Sequence, residues 1–211
     1  AIVEAMDSLL GYLMASLEKL EIYDKLNMFV VSDHGMADVS SERLIILDDY
    51  ISRMDDIYIN GSGSHVQFDF KKDQEEYADA FPEELKGISH CQSWKKDEIP
   101  EWFHFVNGNT GDYLLLADEG WFITTRSIMD ESPFMLEGMH GYDPQIPSMQ
   151  GIFYAVGANI MEGIQIPKFE NIHIYPLICR LLDISPYDGR EDMPQGNIKV
   201  LEKILIKDRN K

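Results

Sequence analysis

The sequence predicts an α/β fold in which helices pack on a mixed, mostly parallel β-sheet. Apolar residues recur at helical spacing from Ile2 to Leu20 and are followed by a short, continuous apolar run, Leu26 to Val31. A helix followed by a buried strand is half of an α/β unit. Further apolar runs at 112–117 and 151–156 predict additional strands of the same core.

The remaining elements follow from local patterns. The predicted helices are 2–21, 74–85 and 171–182, and the predicted strands are 26–31, 57–60, 65–70, 88–93, 112–117, 121–125 and 151–156. Pro82 is expected to interrupt or end its helix, because proline lacks the backbone donor and clashes with the preceding turn. Pro176 indicates that residues 172–175 form a separate lead-in to the last helix.

The chain is organised as a larger core with an insertion. Its 211 residues suit one large domain or most of one. Residues 1–56 and 111–211 form the predicted core, and about 57–110 form a small α+β insertion. The first helix begins at once, without an N-cap residue and without an initial Met, so we expect a cut or processed chain.

The charge balance excludes several functions. With 18 basic and 37 acidic residues, the net charge is −19, which argues against a nucleic-acid-binding surface and against docking on anionic lipid. No run of about 18 apolar residues occurs, so we predict no transmembrane segment. The two cysteines, Cys91 and Cys179, are expected to be separate thiols. A metal-assisted site for small phosphate esters stays compatible with this charge, because local cations decide the field there.

The first candidate site is Ser32-Asp33-His34-Gly35-Met36, directly after the apolar run. Ligands of open α/β sheets bind beyond the carboxyl ends of strands. Asp33 and His34 offer a carboxylate oxygen and an imidazole nitrogen, both of which zinc accepts. The alternative is an Asx-type turn with a surface histidine.

The second candidate is His140-Gly141-Tyr142-Asp143-Pro144, in a loop before the strand at 151–156. A histidine beside glycine can approach a metal closely, and Asp143 could orient His140 without touching the metal. The alternative is a solvated loop histidine. Tyr142 could face a substrate or pack in the interior, and the sequence leaves both open.

Together these motifs resemble a known family. SDHGM, HGYDPQIPSMQGIFYAVG and FENIHIYPLICRLLDISPYDG, with the segment 99–121 between them, are similar to the type I phosphodiesterase/nucleotide pyrophosphatase family of the alkaline phosphatase superfamily. The resemblance extends from the first helix to about Gly189. It implies an alkaline-phosphatase-like sandwich, of which residues 1–211 are the C-terminal part of the catalytic domain, lacking the N-terminal half.

The resemblance implies two zinc ions in the complete domain. Asp33 and His34 would bind one zinc and His140 the other, with Asp143 orienting a ligand. Two cations about 4 Å apart stabilise both the attacking and the leaving oxygen of a displacement at phosphorus.

The resemblance also implies an incomplete site. The family's Thr nucleophile and the remaining metal ligands lie upstream, so the catalytic residue of this chain is unknown. Thr110, Thr124 and Thr125 are set aside, because none occupies the nucleophile's position. The other histidines are expected to be structural or solvent-facing: His65, His90, His104 and His173.

The implied activity is hydrolysis of phosphodiester or pyrophosphate bonds in nucleotides or related small esters, in an extracytoplasmic location. The 211-residue chain alone is expected to be inactive. Two alternative hypotheses for the function remain. One is an inactive fragment or pseudoenzyme, and the other is a phosphonate or choline-phosphodiester hydrolase of the same superfamily.

Overall fold

The structure is a computed structural model that describes residues 2–131, 136–187 and 196–206, with Glu75 described in its backbone only. Its helices are α1 (Ile2–Leu17), α2 (Glu75–Lys86), α3 (Arg126–Glu131), α4 (Ile174–Leu181) and α5 (Ile198–Leu201). Its strands are β1 (Asn27–Val31), β2 (Ala37–Asp38), β3 (Leu44–Ile46), β4 (Ile57–Asn60), β5 (His65–Phe70), β6 (Cys91–Lys95), β7 (Tyr113–Ala117), β8 (Phe122–Thr124), β9 (Gly138–Met139) and β10 (Phe153–Gly157). The last residues of the matched motif, 188 and 189, lie outside the described part.

The chain divides into two compact units, residues 1–33 with 152–211 and residues 34–151. In the first unit β1 and β10 pair antiparallel, with Phe29 opposite Ala155. The core of this unit is formed by apolar side chains from the segment after β10 and from the helices α4 and α5. Its buried members are Ile160, Leu177, Leu201 and Ile204.

Helix α1 ends earlier than the predicted residue 21. After Leu17 the backbone tightens, with Lys19 N–H donating to Ser16 O and Leu20 N–H to Leu17 O, and such i to i−3 bonds close a helix end. None of residues 2–17 is buried, and Ile2 and Tyr12 are 82% and 76% exposed. Among the described residues, no helix combines the length and the apolar character needed to cross a membrane.

The second unit contains a four-stranded antiparallel sheet in the order β4-β5-β7-β6. Helix α2 packs on it through Phe81, whose ring meets Phe68, Phe70 and Tyr113 edge to face. Two smaller ladders complete the unit, β3 parallel to β8 and β2 antiparallel to β9. Strand β7, expected in the resumed core, therefore belongs to the same sheet as β5 and β6.

The expected interruption at Pro82 does not occur, because α2 continues to Lys86. A proline inside a helix costs about 3 kcal/mol. Phe81 and Leu85, on either side of the proline, are fully or almost fully buried. Burying these two side chains offsets that cost.

The mixed α/β class agrees with the prediction, but the strand directions differ from the expected ones. Of the ladders formed by the described strands, only β3 with β8 is parallel. Strand β10 also alternates, with Tyr154 67% exposed between half-buried Phe153 and Ala155. An apolar run indicates a strand but carries no information about the direction of its neighbour.

Candidate functional site

Two of the predicted metal-binding residues lie together in the second unit. The His34 and His140 rings are stacked, with centroids 3.7 Å apart and planes 19° from parallel. The β2–β9 ladder produces this arrangement, because Ala37 pairs with Met139 in antiparallel register. The residues that precede β2 therefore run beside those that follow β9.

Gly35 allows the first motif to pack closely on the second. Its N–H donates to Met149 O at 2.9 Å. A Cβ at this position would lie 1.8 Å from Ser148 O, far inside contact distance. Any residue other than glycine would push the loop at 147–150 away.

The hydrogen bond of His34 sets the tautomer of its ring. Nδ1 lies 2.7 Å from Gly35 O, and a carbonyl accepts only, so Nδ1 carries the proton. A neutral imidazole of this kind has its lone pair on Nε2. Histidines that bind zinc commonly donate the other ring N–H to a backbone carbonyl. The donor chemistry of His34 therefore fits a metal ligand.

Asp33 is the last residue of the first unit, is exposed, and is followed directly by His34. The preceding Ser32 is held twice by Ile152. Its N–H donates to Ile152 O at 3.2 Å, and its Oγ accepts from Ile152 N–H at 2.9 Å. These bonds fix the backbone at the point where β1 ends.

The rest of the second motif is a structured turn. Asp143 Oδ1 accepts a hydrogen bond from Gln145 N–H at 2.8 Å, and its role towards His140 stays a prediction. Tyr142 is buried and donates its hydroxyl to Trp121 O at 2.8 Å. Burial raises the pKa of Tyr142 to about 12. Of the two interpretations of Tyr142, the structure supports packing.

His65, which the sequence predicts to be structural or solvent-facing, lies beside the second motif. A Cβ on Gly141 would be 3.5 Å from its Nδ1. Burial lowers the pKa of His65, a hydrogen bond to the Gly141 backbone opposes this, and nearby His140 lowers the pKa further. Since 75 residues separate the two histidines (140 − 65 = 75), no local sequence signal could have linked them.

Three of the other residues that the sequence does not favour as site residues are held by hydrogen bonds to the backbone. Thr110 and Thr124 are buried and donate their hydroxyls to backbone carbonyls, of Phe105 and Thr125. His173 Nδ1 accepts from Asn197 N–H in the first unit. Within the described residues, no cluster of three or more His, Cys, Asp or Glu side chains is arranged to hold a metal.

Similarity in structure defines the fold class of the chain, and similarity in sequence defines its family. The chain is an alkaline-phosphatase-like α/β protein by its similarity to solved structures. Over residues 1–143 it matches the family described as type I phosphodiesterase/nucleotide pyrophosphatase. The chain belongs to that family.

Three relatives illustrate the match. Human ectonucleotide pyrophosphatase/phosphodiesterase family member 5 is 32% identical over 195 residues, which are 89% of this chain and 39% of the relative. Its solved structure superposes with a TM-score of 0.84 at 30% identity, covering 98% of this chain and 52% of that one. The bis(5'-adenosyl)-triphosphatase of Xenopus laevis is 32% identical over 194 residues, covering 87% and 39%. The murine family member 5, in an inactive variant complexed with AMP, superposes with a TM-score of 0.81 at 28% identity, covering 96% and 51%.

The chain thus spans about 39–52% of the length of these relatives.

Proposed function

We propose that the polypeptide containing this chain hydrolyses phosphodiester or pyrophosphate bonds in nucleotides or related esters with the help of two zinc ions. In this proposal Asp33 and His34 bind one zinc, and His140 binds the other. The observation that supports it best is the stacking of His34 on His140. Their ring centroids lie 3.7 Å apart, so the two proposed ligands are side by side, as the ligands of two neighbouring metal ions must be.

The chain's own residues prepare the site in this proposal. Gly35 O holds the His34 ring by accepting from Nδ1–H, so Nε2 is the nitrogen with a lone pair for a metal. The β2–β9 ladder keeps His140 beside it, and Asp143 orients the His140 ring. Zinc, when bound, supplies positive charge that stabilises the oxygens of the reacting phosphoryl group. This local charge attracts an anionic ester despite the net charge of −19.

The substrate class is inferred from the relatives. The names of two of them refer to nucleotide pyrophosphatase and bis(5'-adenosyl)-triphosphatase activity, and the murine relative was solved with AMP. A nucleotide ester is therefore our proposed substrate for this chain's complete domain. We also propose an extracytoplasmic location, since the human and murine relatives are named ectonucleotide pyrophosphatases/phosphodiesterases.

Turnover of the p-nitrophenyl ester of a nucleoside monophosphate by the complete polypeptide tests this function. His34→Asn keeps an N–H near Gly35 O but removes Nε2, and His140→Asn removes the other imidazole. His173→Asn is the matched control, because an Asn oxygen can still accept from Asn197 N–H. We expect kcat/KM to fall more than about 100-fold in the first two variants, since even residues that only orient metal ligands contribute about 10–100-fold.

A chelator should abolish turnover, and added zinc should restore it. The proposed function would be refuted if the unsubstituted polypeptide had no metal-dependent turnover. The ligand assignment would be refuted if His34→Asn and His140→Asn retained the activity of His173→Asn.

A further inference from the structure

Three consecutive residues of the second unit form a seat for the residues around His140. A Cβ on Gly63 would lie 2.0 Å from Met139 Cε, and a Cβ on Gly141 would lie 2.7 Å from Ser64 Oγ. Both neighbours of His140 in sequence therefore contact the segment Gly63–Ser64–His65, which we call the 63–65 seat. Gly63 and Gly141 have φ of +101° and +89°, so glycine also suits the backbone at both positions.

The 63–65 seat is rigidly attached to the core of its unit. Gly63 and Ile123 exchange two backbone hydrogen bonds, at 2.8 and 2.7 Å, and Ala117 N–H donates to Ser64 O at 2.8 Å. Ser64 is 1% exposed and Ile123 fully buried. A surface attached in this way moves little, because interior packing leaves few alternative positions.

His65 completes the seat. Its Nδ1 lies 3.1 Å from Ser64 Oγ, and a Cβ on Gly141 would lie 3.5 Å from the same nitrogen. The ring is held from a further side by Phe105, edge to face with centroids 5.8 Å apart. The Ser64 hydroxyl and the His65 ring thus connect the core of the unit to the residue that follows His140.

We propose that Ser64 and His65 are positioning residues that hold His140 in its stacked arrangement on His34. They act through Gly141 and contact neither the metal nor the substrate, while Gly63 of the same segment packs against Met139. The inference rests on the proposed function, because it explains how His140 is held where it can bind a metal. Groups that orient metal ligands commonly contribute about 10–100-fold in metal affinity.

The test compares four variants of the complete polypeptide with the metal-ligand variant His140→Asn. Ser64→Ala removes the hydroxyl, His65→Leu removes the polar ring, and His65→Asn restores an amide near the position of Nδ1. Phe81→Leu is the control for lost stability, because Phe81 belongs to the packing of α2 on the sheet. Zinc affinity, the visible absorption spectrum with Co²⁺ in place of zinc, and the melting temperature are measured for each.

We expect His65→Leu to weaken zinc binding about tenfold and to change the Co²⁺ spectrum. His65→Asn should recover most of the affinity, and Ser64→Ala should fall between the two. Phe81→Leu should lower the melting temperature while leaving affinity and spectrum unchanged.

Two outcomes separate the metal assignment of His140 from the positioning role of Ser64 and His65. If His140→Asn leaves zinc affinity unchanged, the metal assignment is wrong. If His140→Asn weakens binding but His65→Leu and Ser64→Ala alter only the melting temperature, the seat is structural and the positioning role is refuted.

Discussion

At the scale of single residues, the candidate site depends on Gly35, where no side chain fits. The absence of a Cβ at Gly35 lets the loop at 147–150 lie against the turn that carries His34. Dense packing of this kind leaves no room to absorb even one additional carbon. A single methyl group added at residue 35 would therefore displace His34, although it carries no charge and makes no hydrogen bond.

We predict that Gly35→Ala destabilises the second unit by about 1–3 kcal/mol, the usual cost of overpacking. Gly108→Ala is the matched control, because a Cβ there would meet no atom within 4 Å. All three tryptophans, Trp94, Trp102 and Trp121, lie in the second unit, so urea unfolding followed by their fluorescence measures it. Equal stability of the two variants would contradict the packing argument.

Glu84 gives the second unit a pH-dependent stability. Burial tends to raise its pKa, but hydrogen bonds from the Ser52 and Tyr77 hydroxyls, at 2.5 and 2.8 Å, hold the pKa below its usual 4.5. A carboxylate with a lowered folded-state pKa stabilises the fold above pH 4.5, and this contribution disappears as the pH falls through the folded-state value.

We therefore predict that Glu84→Gln lowers the unfolding free energy at pH 7 and that the difference from the unsubstituted chain shrinks on acidification below pH 4.5. Tryptophan fluorescence in urea at pH 7 and pH 3 measures it. A difference that stays constant between these pH values would rule out the ionised carboxylate as the cause.

At the scale of elements, the contact of α2 with the four-stranded sheet is the main aromatic packing of the second unit. Phe81 meets the rings of Phe68, Phe70 and Tyr113 of the sheet with centroids 5.1–5.5 Å apart, and the ring of Tyr77 in its own helix at 5.6 Å. Edge-to-face pairs of this kind add to the free energy of area burial.

We predict that Phe81→Ala costs about 3–5 kcal/mol of unfolding free energy, as expected for a fully buried phenylalanine. Glu83→Ala in the same helix is the control, because its ion pair with Lys86 is exposed and worth less than about 1 kcal/mol. If the two variants unfolded at similar urea concentrations, the aromatic contact would not be what attaches α2 to the sheet.

The elements also show how far the sequence could predict this molecule. The β-rich segments at 57–60 and 65–70 were predicted correctly as β4 and β5, because alternation and the intervening glycine turn are local signals. The antiparallel pairing of β5 with β7 and the direction of β1 relative to β10 were not, since they depend on partners far along the chain. The contact between His65 and Gly141 could not be predicted either, because the two residues are far apart in the chain.

At the scale of the whole molecule, this chain corresponds to about half of its relatives' length. The His34–His140 pair lies within it, and a nucleophile upstream of it is an expectation from the family resemblance. We predict that the 211-residue chain alone does not hydrolyse p-nitrophenyl phosphodiesters. The assay is absorbance of released p-nitrophenol with added zinc. Turnover that His140→Asn abolished would overturn this expectation.

The zinc content of the purified complete polypeptide shows whether His34 and His140 each hold a metal ion. Elemental mass spectrometry should find about two zinc ions in the unsubstituted protein and in His173→Asn. We expect His34→Asn and His140→Asn to retain about one zinc ion each. If the zinc content is the same in all four proteins, His34 and His140 are not metal ligands.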